Sequence, residues 1–120
     1  MLNIKLKEDL LIALLEPVGK LTEEDLKKAA ETVDGIIEKK GDLNGIIIHT
    51  KHFPGWDSFG ALISHFKFVK NHHKKVHKVA VVTDSMLGSF LEHVASHFIN
   101  AEVKKFAFNE VNKATDWITE

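Results

Sequence analysis

Two short runs, Gly45-Ile46-Ile47-Ile48 and Val79-Ala80-Val81-Val82, contain no polar side chain. A strand with one wet face alternates polar and apolar residues, so runs of this kind read as buried strands. They occupy Gly45 to Thr50 and Val79 to Thr83, with a more polar, edge-like strand at Val103 to Phe108. Segments of helical period separate all three. Strands alternating with helices require crossover connections, which give a mainly parallel sheet.

The amino-terminal part differs. Leu2, Ile4 and Leu6 alternate with Asn3, Lys5 and Lys7, the period of a half-buried strand. A turn at Glu8-Asp9 leads into a more apolar strand, Leu10 to Leu15, which ends at Pro17 and Gly19. The two form an expected antiparallel hairpin.

Four helices are expected. The first has Thr22 as N-cap, Asp25 at the capping-box position, and Leu21 and Leu26 at the ends of a hydrophobic staple. Leu26, Ala29, Ala30, Val33, Ile36 and Ile37 form its apolar stripe, and Gly41 marks its stop. The second runs from about Ser58 to Asn71. The third follows Asp84 or Ser85, with Leu87, Phe90, Leu91, Val94 and Phe98. The last follows Asn109, with Val111, Ala114, Trp117 and Ile118 on one side. The expected fold is a single α/β domain spanning 1–120, a mixed, mostly parallel five-stranded sheet with four helices in the order ββαβαβαβα.

Composition narrows the function classes. The chain has 120 residues, 44% apolar and 28% charged, as in an ordinary globular domain. A formal net charge of -1 gives no global field for nucleic acid. The absence of cysteine excludes disulfides, thiolate metal sites and a cysteine nucleophile. No apolar run reaches the ~20 residues needed to span a bilayer, so no transmembrane segment is expected. The start lacks a signal-peptide profile, and the expected location is cytoplasmic.

The most specific segment is His52-Phe53-Pro54-Gly55-Trp56-Asp57-Ser58-Phe59-Gly60-Ala61, between a buried strand and a helix start. Ligands of open α/β sheets bind outside the carboxyl ends of the strands, and a helix N-terminus favours negative charge. Asp57 or Ser58 also suits an ordinary N-cap, and Trp56 suits a lid over the core. Phe53, Trp56 and Phe59 can instead line an apolar pocket mouth. His52, Phe53, Gly55, Trp56, Asp57, Ser58 and Phe59 are the candidate ligand-binding residues. Ser58 is the candidate phosphosite.

The element order and this segment resemble the SpoIIAA-like proteins of the STAS superfamily. Asp57-Ser58-Phe59-Gly60 fits the Asp-Ser-x-Gly of the wider pattern, which implies a phosphorylatable residue at Ser58. A bacterial, STAS/CRAL-TRIO-like branch is similar along almost the whole chain. The similarity rests on Gly55-Trp56-Asp57, Ala61, Val79-Ala80-Val81-Val82, Ala101-Glu102-Val103 before Phe106, and the closing Ala114 and Trp117. Signalling members lack the Gly-Trp pair and carry a small residue in place of Phe59. The resemblance implies a non-enzymatic binding or regulatory module taking a small apolar or lipid-like ligand at the Trp56 loop and second helix. Its alternative is an anti-anti-sigma-type protein-interaction switch with a protein partner, regulated at Ser58.

Other constellations have ordinary explanations. His93 and His97 stand four apart on the third expected helix but lack a third ligand, so no metal is assigned. His49 and His52 at the strand end suit a ligand anion or a general base, yet no nucleophile accompanies them, and no catalytic residue or cofactor is assigned. Ala61, His65, Phe68 and His72 lie off the core stripe of the second helix and form a candidate homodimer interface. The basic stretch Lys67, Lys70, His72, His73, Lys74, Lys75, His77 and Lys78 reads as a solvated turn. It lacks the interleaved aromatic residues of a nucleic-acid surface.

Overall fold

The computed structural model describes residues 2–19, 22–51, 76–84 and 101–120. Five strands form one sheet: β1 (Leu2–Lys7), β2 (Ile12–Pro17), β3 (Leu43–His49), β4 (Val76–Val82) and β5 (Glu102–Phe106). They lie in the spatial order β1-β2-β3-β4-β5. β1 pairs antiparallel to β2, and every later pair is parallel. The expected mixed, mostly parallel sheet is therefore present, with β5 at an edge. Two helices are described, α1 (Glu23–Lys40) and α2 (Val111–Thr119), so the described order is ββαβββα rather than ββαβαβαβα. The expected second and third helices lie outside the described residues.

Local signals explain α1. The Thr22 hydroxyl accepts from the Asp25 N–H and the Asp25 carboxylate accepts from the Thr22 N–H, both at 3.1 Å. This is the anticipated capping box. Glu23, Glu24 and Asp25 fill the first turn and Lys39 and Lys40 the last, matching the helix dipole. Gly41 closes the helix at φ 96°, and its N–H donates to the Ile37 carbonyl at 2.7 Å. A positive φ there suits glycine, which has no Cβ to clash.

The strands alternate between two cores. Ala13 and Leu15, Ile46 and Ile48, and Val79 and Val81 pack with Ala29, Ala30, Val33, Ile36 and Ile37 of α1. Their neighbours Ile12, Leu14, Ile47, Ala80 and Val82, with Phe106, pack with Ala114 and Ile118 of α2. Burying each branched aliphatic side chain contributes about 1.5–3 kcal/mol before the cost of ordering it.

Several boundaries differ from expectation. The first turn spans 8–11, and β2 begins at Ile12 rather than Leu10. Leu11 has φ 54°, unusual for a residue with a Cβ. Its carbonyl accepts from the N–H groups of Asn44 and Gly45, which anchors the turn to the start of β3. β4 begins three residues earlier than Val79 and takes in part of the basic stretch. His77 Nε2 lies 2.8 Å from the Asp42 carboxylate, and Lys78 Nζ donates to the Trp117 carbonyl at 2.7 Å. These partners hold His77 and Lys78 in the sheet instead of in a solvated turn. Residue Glu110, not Asn109, precedes α2, and it makes no side-chain capping bond to that helix. β5 ends at Phe106, two residues before the expected end.

Docking of α2 depends on Gly45. A Cβ at this position would lie 2.6 Å from Ile118 Cγ2 and 2.7 Å from Cδ1, too close for any side chain. Gly45→Ala is therefore expected to destabilise the protein by about 1–3 kcal/mol through overpacking. Combining it with Ile118→Ala should cost less than the sum of the single changes, as read by urea denaturation.

Candidate functional site

The four parallel strands β2 to β5 end on the same side of the sheet, where ligands of such folds bind. A cleft of about 340 Å3 opens there, lined by Asn3, Glu16, Pro17, Val18, Gly19, His49, Thr50, Lys51 and Phe108. Val18 is an exposed large apolar residue at its edge. The lining combines apolar surface with charged and amide groups, a composition suited to an amphipathic molecule.

His49 is the hub of this region. Its Nδ1 lies 3.2 Å from Glu16 Oε2 at the end of β2, and its Nε2 lies 3.0 Å from the Phe108 carbonyl oxygen. The Phe108 ring stacks on the imidazole, with centroids 4.4 Å apart and planes 22° from parallel. Lys5 of β1 reaches the other Glu16 oxygen at 3.3 Å. Beyond Phe108, the Asp84 carboxylate accepts from the Phe108 N–H at 3.2 Å. A line of polar contacts thus crosses from β1 through β2 and β3 to the segments following β5 and β4.

Backbone bonds continue the sheet past its last formal pairs. The Thr50 N–H donates to the Val82 carbonyl at 3.1 Å and the Thr83 N–H to the Phe106 carbonyl at 3.0 Å. The buried Thr83 hydroxyl donates to the Lys51 carbonyl at 3.2 Å. These bonds fix the path of the chain as far as Lys51. In the turn before α2, the Glu110 carboxylate accepts from the Ala107 N–H at 2.8 Å and from Lys113 Nζ at 2.9 Å. The Ala107 N–H, and next the Lys113 ammonium, hold the Glu110 carboxyl below its usual range.

The structure gives His49 two partners within the protein, the Glu16 carboxylate at Nδ1 and the Phe108 carbonyl at Nε2. Asp84, expected with Ser85 as an alternative cap of the third helix, holds the Phe108 N–H; that helix lies outside the described residues. The candidate residues His52, Phe53, Gly55, Trp56, Asp57, Ser58 and Phe59 lie outside the described residues, as do Ala61, His65, Phe68, His72, His93 and His97. The described chain reaches Lys51, which lines the cleft immediately before His52.

Glu16 and Phe108 were not singled out from the sequence. A signal existed for Glu16: it lies two residues beyond Leu14 on β2, as His49 lies two beyond Ile47 on β3. Leu14 and Ile47 are register partners, so both polar residues fall on one face at one level. Nothing local in the sequence pointed to Phe108, which is 59 positions from His49.

The five-stranded mixed sheet and its packed helices fit a STAS-type α/β fold. A family model described as SpoIIAA-like matches residues 12–119, and the chain belongs to the SpoIIAA-like family. No curated protein and no solved structure shows a match. Among the described residues, no helix is long and apolar enough to cross a membrane.

The Glu110 contacts have a pH consequence. A carboxyl with a lowered folded pKa contributes stability above its unfolded value, near pH 4.3, and loses it as pH falls through the lower folded value. Glu110→Gln should flatten this part of the acid limb of a stability-against-pH curve, measured by urea midpoint, and leave the neutral limb's shape unchanged.

Proposed function

We propose that residues 1–120 form one non-enzymatic SpoIIAA-like module that binds a small apolar or lipid-like ligand at the carboxyl end of its sheet, acting in the cytoplasm. The observation that carries this reading is the mixed-polarity cleft whose wall includes Lys51, the residue from which the chain enters His52-Phe53-Pro54-Gly55-Trp56-Asp57-Ser58-Phe59. Pro17, Val18 and Phe108 offer apolar contact in the cleft. Phe53, Trp56 and Phe59 are the proposed further apolar contacts to the ligand. The contacts of His49 support a binding role over a reaction, since both ring nitrogens already face partners within the protein, Glu16 and the Phe108 carbonyl.

Family membership supports a second reading, an anti-anti-sigma-type switch in which Ser58 is phosphorylated and a protein partner is held or released. In either reading, Ala61, His65, Phe68 and His72 are the proposed contact between two copies of the chain.

Native mass spectrometry of protein purified from its own host, followed by organic-solvent extraction, separates the readings. The ligand reading predicts an added mass that solvent releases as an apolar or amphipathic molecule, and that Trp56→Ala reduces without loss of folding. A retained protein together with phosphate on Ser58 would overturn it in favour of the switch.

A further inference from the structure

We propose that His49 is a proton-operated clasp for the cleft: the doubly protonated ring holds Glu16 and the Phe108 turn together, and loss of the Nε2 proton, which faces a neutral carbonyl while Nδ1 faces a carboxylate, releases the Phe108 turn. The inference follows from the acceptors. A carboxylate and a backbone carbonyl have no hydrogen to give, and both face a ring nitrogen at hydrogen-bonding distance. Only an imidazolium donates to both. In either neutral tautomer one nitrogen turns a lone pair toward an oxygen lone pair, so one bond becomes a repulsion.

The surroundings make this one contact consequential. Glu16, His49 and Phe108 all line the cleft, so opening the link to Phe108 alters its wall. The His49 side chain is only 18% exposed, which limits replacement of the lost partner by water. Among the described charged groups, Glu16 of β2 faces the ring and Lys5 of β1 faces Glu16. Lys51 follows β3 at the cleft, Asp84 after β4 holds the Phe108 N–H, and Glu110 with Lys113 braces the Ala107 N–H on the same turn.

The clasp bears on ligand binding only through the reading of the cleft proposed above; its own test needs no ligand. The full chain, labelled with 15N, is followed by NMR between about pH 5 and 8. Both ring N–H signals of His49 are expected at the acid end. Hydrogen exchange of the Ala107, Phe108 and Glu110 amides, corrected for intrinsic rate, should lose about tenfold protection as one ring proton leaves, the equivalent of one charge-assisted hydrogen bond. Amides of α1 such as Val33 and Ile36 should keep theirs. In His49→Gln the turn's protection should be independent of pH. Constant protection in the unmodified chain, or an equal loss in α1, would overturn the proposal whether or not the variant folds. A failed ligand search with the clasp intact would count against the binding reading alone.

Discussion

The central strand β3 has no wet face, and most of the architecture follows from this. β2 and β4 pair with it on either side, while Ile46 and Ile48 face one core and Ile47 the other. A strand buried on both faces needs a cover above and below. α1 supplies one through Ala29, Ala30, Val33 and Ile37, and α2 supplies the other through Ala114 and Ile118. The same alternation puts Gly45 under Ile118 and His49 beside Glu16. One strand therefore sets both the close approach of α2 to the sheet and the position of its polar hub.

That hub lies where the apolar alternation stops. Along β2 and β3 the face that packs on α2 reads Ile12, Leu14, Glu16 and Gly45, Ile47, His49. Nine-residue α2 contacts β3, β4 and β5, and the carboxyl end of the β2–β3 face forms the cleft instead. Glu16 and His49 satisfy each other there, and Phe108 adds both an acceptor and a stacked ring. Polar groups at such a position cost stability unless paired, and these are paired across elements distant in the chain. The result is a cross-linked wall beside the point where the chain enters its most specific segment.

How much was legible depended on the range of the interaction. The capping box at Thr22 and Asp25 and the stop at Gly41 are local, and the sequence showed them directly. The buried runs of β3 and β4 and the edge position of β5 were equally visible. The boundaries were less so. β4 reaches back to Val76 because His77 meets Asp42 and Lys78 meets Trp117, contacts 35 and 39 residues apart in sequence. Glu110 rather than Asn109 precedes α2, because its carboxylate serves the Ala107 N–H and Lys113. The site's place at the end of β3 could be read from the sequence, but its described wall could not. Glu16, His49 and Phe108 become neighbours only once the sheet has assembled, and the two histidine contacts span 33 and 59 positions.

The central claim is that this protein acts through the carboxyl end of its sheet. Chemical-shift mapping with decanoate as an amphipathic probe tests it most directly. The account predicts shifts gathered on Glu16, His49, Lys51 and Phe108, together with the Trp56 indole N–H. Shifts gathered at the opposite end of the strands, on Leu10, Asp42 and His77, with none at the cleft, would contradict it.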